Sequence, residues 1–347
     1  MCNIAGYAGT KQAAPILIEM LRKQQQYDGG GSTGIATIYN GRIYYRKVIG
    51  DVDTLINTTD ALYLPGNVGI AHTRPGGRPV VYSFAHPFVN IEETMAGILN
   101  GTGKFPGYSQ KAHEITAKLE EEGYIFRDVS FVSKSNFPRL RDGSYVSSVN
   151  TRLSLIDKYV KEGMSTHAAM VRVGEEFYGD YVFGMLNLAT PDRFYILRNC
   201  RPAISLKTEH GTYVATTRFG FPEDEEGEVK MLPLLTACEM TKDGVTVTDA
   251  RMTNCEEVAE VTDYTLEEGY KRIYALLKGK KDNPLFFDDL EFAVDREMRD
   301  IFPGAHTLVQ DSRLVYDVLY RLDKEGILNR EVRTIGDNVK RVYMWID

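Results

Sequence analysis

A cysteine in second place, an arginine and an asparagine-glycine pair have the types and positions for nucleophilic chemistry at a carbonyl. Cys2 follows Met1 and opens onto a short apolar run, Asn3 to Gly9. A small second residue favours removal of the initiator methionine, and the product carries a thiol and a free α-amine on one residue. An α-amine has an ordinary pKa of about 7.7–8.0, so near neutral pH part of it is unprotonated and can take the thiol proton. Arg74 ends the run from Gly69 to Thr73, just before Pro75-Gly76-Gly77. From such a strand end a guanidinium holds a carboxylate bidentately. Asn100 and Gly101 close the run from Met95 to Leu99, and a side-chain amide with a backbone N–H donates two hydrogen bonds to an oxyanion.

Positioning these groups requires strand ends. After the first strand, Ile16, Leu17, Met20 and Leu21 recur at helical spacing within Lys11 to Gln26. That helix stops at three glycines, Gly29 to Gly31. Thr33 to Ile49 reads as a hairpin turning at Asn40-Gly41, and strands follow at Val68 to Thr73 and Thr94 to Leu99. Gln110 to Glu122 is helical. Residues 126–148, with Arg127, Lys134, Arg139 and Arg141, lack periodicity and read as an insertion. Helices are expected at Thr151 to Glu162 and Thr166 to Phe177. Strands then follow at Tyr181 to Leu188, Phe194 to Arg198, Thr212 to Thr217, and as a pair around Asp243-Gly244.

From Asp263 the pattern changes to three helices and a terminal β-hairpin, which suggests a small winged-helix-like α+β domain over 263–347. This segment holds 14 Lys/Arg against 17 Asp/Glu. A basic footprint for nucleic acid is therefore missing, and protein contact is the expected role. The whole chain of 347 residues has a net charge of −7, which argues the same way. Four cysteines (Cys2, Cys200, Cys238, Cys255) show no CxxC spacing, so neither a zinc site nor a disulfide framework is indicated and a reducing cytoplasm is expected. No segment has the length and apolarity of a membrane span.

The ordered set of Cys2, Ser32-Thr33-Gly34-Ile35-Ala36, His72-Thr73-Arg74, His86-Pro87, Asn100-Gly101 and Tyr178 to Gly184 resembles the class II glutamine amidotransferase domain, one of the N-terminal-nucleophile hydrolases. The resemblance covers residues 2–255 and implies a four-layer αββα sandwich, with Cys2 at the end of a central strand. It implies that Cys2 attacks the side-chain amide of glutamine or a related amide, giving a γ-glutamyl thioester and ammonia. Asn100 and Gly101 would be the oxyanion hole; Arg74, His72, Thr73 and Asn150 would bind substrate. It implies no metal or other cofactor.

The pattern departs from the family at several places. Asn3 replaces the usual glycine, Asp28 an arginine, and Pro75 to Gly77 the aromatic and hydroxyl residues. Asn150 and Arg152 stand where the family carries an acidic residue and a glutamate. Asn150 keeps an acceptor but loses the charge-assisted part of ammonium binding. About 85 residues follow Asp263, too few for a synthase domain. The expectation is thus a stand-alone amidotransferase chain, as in a split glutamate synthase, supplying ammonia to a separate synthase subunit, with a homo-oligomer possible. The alternative is a catalytically weakened amidotransferase fold used for binding or regulation.

Overall fold

The computed structural model describes residues 1–75, 81–101, 108–132, 137–177, 179–251, 258–304, 308–335 and 339–347. Gly76, Gly77, Lys134, Tyr178 and Cys255, all singled out above, lie outside the described residues. In chain order the first part runs β1 (Asn3–Gly9), α1 (Ala13–Gln25), β2 (Gly30–Tyr39), β3 (Arg42–Ile49), α2 (Val52–Thr58), β4 (Val68–Pro75), β5 (Phe88–Val89) and β6 (Met95–Gly101). It continues with α3 (Tyr108–Glu121), α4 (Ser148–Lys161), α5 (Thr166–Glu176), β7 (Tyr181–Asn187), β8 (Arg193–Arg198), β9 (Ile204–Lys207) and β10 (Gly211–Ala215). Then come β11 (Glu228–Met231), β12 (Thr236–Thr241) and β13 (Gly244–Asp249). The fold is mixed α+β with two antiparallel sheets, in the orders β11-β9-β10-β1-β4-β2-β3 and β13-β12-β8-β7-β6-β5.

Alternation along the strands builds three apolar seams. Ile4, Ile70 and Ala36 on one sheet meet Ile98, Val182 and Ile196 on the other. The opposite face of the first sheet, with Tyr7 and Ile35, is covered by Leu17, Leu21 and Leu55 of α1 and α2. Leu99 and Phe183 of the second sheet are covered by Leu153 and Met170 of α4 and α5. Each large side chain so buried contributes about 1.5–3 kcal/mol. The β2–β3 hairpin turns at Asn40 (φ 46°) and Gly41 (φ 69°), as the sequence predicts.

The unpatterned stretch from Phe126 is tied down by named contacts. Lys47 of β3 pairs with Asp128 at 3.1 Å, and Arg127 pairs with Glu93 at 2.6 Å. Its described arginines are occupied as well: Arg139 donates to the Gly143 carbonyl and Arg141 pairs with Glu121.

The last part holds β14 (Val258–Ala259), α6 (Asp263–Leu277), β15 (Leu285–Phe286), α7 (Phe287–Glu297), β16 (Leu308–Val309), α8 (Asp311–Lys324), β17 (Asn329–Ile335) and β18 (Val339–Trp345). The three helices share a core of Ile273, Leu277, Leu290, Val294, Leu314 and Leu319. Strands β15, β18 and β17 form a small antiparallel sheet, and β14 pairs with β16 in parallel. Helix α2 and the two-residue strands β5, β14, β15 and β16 are too short to show a period in the sequence.

Candidate active site

The site is built where the inter-sheet seam stops being apolar. Along β1 the inward row is Ala8, Gly6, Ile4 and then Cys2; along β4 it is Val68, Ile70, His72 and Arg74; along β2 it is Ile38, Ala36, Gly34 and Ser32. Asn3 pairs with Thr73, so the register carries Cys2 to the level of Arg74, which pairs in turn with Ser32. From the second sheet β6 runs inward through Ala96 and Ile98 to Asn100. Both β1 and β4 touch β6. The structure therefore brings Cys2, Arg74, Asn100 and Gly101 to one end of the seam.

Two histidines set the height of β6 against β4. His72 Nε2 lies 3.1 Å from the Leu99 carbonyl, and the Leu99 N–H donates to His86 Nδ1 at 3.2 Å. A carbonyl only accepts, so His72 carries its proton on Nε2. The two rings stack at 3.9 Å. Burial, with the nearby Arg74 charge, pushes the His72 imidazole down to about 3, which keeps it neutral. Leu99 is thus clamped through both sides of its backbone, and Asn100 follows directly.

What remains at the seam's end is a set of polar groups with unfilled capacity. Asn100 is 1% exposed, and its Nδ2 has no hydrogen-bond partner among the described residues. Ser32 Oγ and His72 Nδ1 are buried and unpartnered in the same sense. Arg74 is half-buried and makes no ion pair among the described residues. An unsatisfied buried polar group costs about 1–3 kcal/mol, so such a cluster suits a polar ligand that supplies the missing acceptors and donors. Ser32 was not assigned a role from the sequence; its place in the inward row, two residues from Gly34, was the available signal.

The three described cysteines differ. Cys200 and Cys238 are buried, and burial pushes both thiols up, Cys238 to about 11. Cys2 is only partly buried. Reactive thiols are accessible, and among the three only Cys2 is not buried.

Two further expected residues, Thr73 and Asn150, make their own contacts within the fold. Thr73 faces the α1 side, where its hydroxyl accepts the Gly30 N–H at 2.9 Å and contacts the Thr33 hydroxyl at 3.1 Å. Asn150 is on the first turn of α4, and its Nδ2 donates to the Arg127 carbonyl at 2.6 Å. Arg152 is fully buried, its guanidinium between the Phe177 and Tyr181 rings at 3.8 and 4.0 Å.

Met1, ahead of Cys2, packs among residues of the C-terminal helices. Its amino group contacts Asp28 and lies 3.3 Å from Asp288 of α7. Among the described residues no group of His, Cys, Asp or Glu is arranged to hold a metal, and no helix is long and apolar enough to cross a membrane.

Comparison with known proteins bears on the fold. No family model matches the chain. Its sequence is similar to glutamine–fructose-6-phosphate aminotransferases: 29% identical over 209 residues to that of Pyrococcus horikoshii, covering 59% of this chain and 30% of that protein. The enzyme of Clostridium acetobutylicum is 30% identical over 218 residues, 62% of this chain and 31% of its own length. That of Clostridium perfringens is 27% identical over 354 aligned positions, 99% of this chain and 49% of its own. The chain thus spans half or less of these relatives. Among solved structures, the glutamine phosphoribosylpyrophosphate amidotransferase of B. subtilis superposes with a TM-score of 0.57 at 16% identity, over 78% of this chain and 52% of that one. The fold is that of the class II glutamine amidotransferase domain.

Proposed function

We propose that this chain is a glutamine-dependent amidohydrolase in which Cys2 is the nucleophile and ammonia is passed to a synthase on another chain. The observation that carries the reading is the polar end of the seam: a partly buried thiol at the level of Arg74, which makes no ion pair among the described residues, and a buried Asn100 amide whose Nδ2 has no partner among them. With Met1 removed, the Cys2 α-amine takes the thiol proton and the sulfur adds to the side-chain amide carbon. Asn100 Nδ2 and the Gly101 N–H stabilise the oxyanion. The C–N bond then breaks, ammonia leaves with the proton from the α-amine, and water hydrolyses the thioester to release glutamate and regenerate the thiol. Arg74 binds the substrate carboxylate, assisted by the Ser32 hydroxyl beside it, while His72 and Thr73 hold the strands. Asn150 offers its side-chain oxygen to the substrate ammonium. The C-terminal part is read as a winged-helix-like protein-contact domain rather than a DNA reader.

The test is ammonia release from glutamine by protein whose intact mass shows loss of Met1. Activity is expected in the wild type, and Cys2→Ala is expected to abolish it. Ammonia release that survives Cys2→Ala, or none from glutamine or related amides, would refute the reading. A second reading, a binding or regulatory module on the same fold, is favoured by one observation: Arg152, which stands where the resemblance implies a glutamate, is fully buried between the Phe177 and Tyr181 rings. With Met1 retained, the Cys2 nitrogen is a peptide nitrogen and cannot act as base. An intact mass that includes Met1, with no ammonia released, selects this second reading.

A further inference from the structure

We infer that the C-terminal helices position the nucleophile: Tyr316 of α8, acting through Asn3, fixes the strand end that presents Cys2. The inference rests on the reading of Cys2 as nucleophile. The start of β1 needs such support because its ladder thins out on the β10 side, although pairing with β4 runs to Asn3. The last β10 pair is Ala5 with Ala215; beyond it the Ile4 N–H goes to the Thr216 hydroxyl at 2.8 Å, and the Ile4 carbonyl accepts from the Gln24 side chain at 3.0 Å and the Thr216 N–H at 3.3 Å. One residue nearer Cys2, the Asn3 side chain takes over. Its Nδ2 donates to the Asp28 carbonyl at 2.7 Å, and its Oδ1 accepts from the Tyr316 hydroxyl at 2.8 Å. Asn3 is fully buried and Tyr316 is 1% exposed, so neither bond competes with bulk water.

The geometry of α8 makes the contact specific. Ser312, Tyr316 and Tyr320 recur every four residues, which puts them on one helix face. Along that face Ser312 meets Arg201, Tyr316 meets Asn3, and Tyr320 packs edge-on to Phe219 at 5.2 Å. Arg201 binds Asp180 on one side and Glu291 and Asp311 on the other, anchoring the helix start. A glycine in place of Asn3 has no side chain with which to make either bond. The asparagine at this position is therefore matched to a helix more than three hundred residues away, and the C-terminal part belongs to the working site.

The experiment compares Tyr316→Phe, Asn3→Gly and their combination in the full chain. Tyr316→Phe keeps the ring and removes the hydroxyl. Misplacement of a reacting group by about 1 Å costs on the order of 100-fold in rate. The expected result is a fall of about 10- to 100-fold in both kcat for glutamine and the rate of Cys2 alkylation by iodoacetamide, measured across pH. KM is expected to stay within about twofold. Asn3→Gly is expected to match it, and the double variant to be no worse than either single one, because the two groups form one unit. Tyr320→Phe serves as the control and is expected to behave as wild type. Wild-type alkylation and turnover in Tyr316→Phe, additive losses in the double variant, or a loss shared by Tyr320→Phe would overturn the inference. Alkylation is read without glutamine, so it decides this point even where no ammonia is released; wild-type Cys2 that iodoacetamide does not modify overturns it too.

Discussion

His72 shows how a single side chain near the site serves geometry rather than charge. Its neutral ring donates to one carbonyl and stacks on His86, and its imidazole is held at about 3. In the unfolded chain the same group takes a proton below about pH 6.5. Between those values the unfolded state binds the extra proton, so this residue makes the fold less stable as pH falls. The slope is roughly 1.4 kcal/mol per pH unit, reached below pH 6.5 and continuing towards pH 3. Urea unfolding at pH 7, 6 and 5 checks it: His72→Gln, which keeps an N–H for Leu99, is expected to lose stability less steeply than wild type. Equal slopes would show that His72 is protonated in the fold. The sequence marked His72 as a substrate contact, because residue type and strand position are visible there, whereas the carbonyl that occupies it comes from another sheet.

At the scale of elements, the end of β6 is where packing constrains chemistry most tightly. Gly101 has φ +157°, and a Cβ there would lie 2.2 Å from the Asp180 carbonyl oxygen, a backbone atom with little room to move. Gly101→Ala is therefore expected to destabilise the fold by more than about 2 kcal/mol, as for other enforced backbone clashes, and to remove any ammonia release. Thermal unfolding beside the ammonia assay tests both parts. An alanine variant of wild-type stability and rate would contradict the close approach of β6 and β7. The strands bearing Cys2, Arg74 and Asn100 were legible in the sequence from alternation and from turn residues such as Asn40-Gly41. Thr73 was assigned to the site with its neighbours, yet alternation alone puts it on the face opposite Arg74. Arg152 carries another kind of information: it fills the space between two aromatic rings, a packing role that no short motif reveals.

For the whole molecule, the decisive feature is the join between the sandwich and the C-terminal helices. Arg201 is buried against Asp180, Glu291 and Asp311, so removing the guanidinium leaves several carboxylates without their cation. Breaking a buried pair from one side typically costs about 3–5 kcal/mol. Arg201→Ala is expected to lower unfolding stability by that order in urea titrations; a change below about 1 kcal/mol would mean the join is held by apolar packing alone. The same region shows where reading a sequence ends. Local period, turn chemistry and the order of a few polar strand ends were enough to place most strands and helices and to single out the residues capable of nucleophilic chemistry, because each depends on neighbours a few positions apart; the sandwich was expected only from a resemblance. The bonds from Tyr316 to Asn3 and from Arg201 to α8, and the lack of a partner among the described residues for Asn100 Nδ2 and Ser32 Oγ, were decided only by tertiary structure. Each of these depends on which groups meet across hundreds of residues, and no local pattern encodes that.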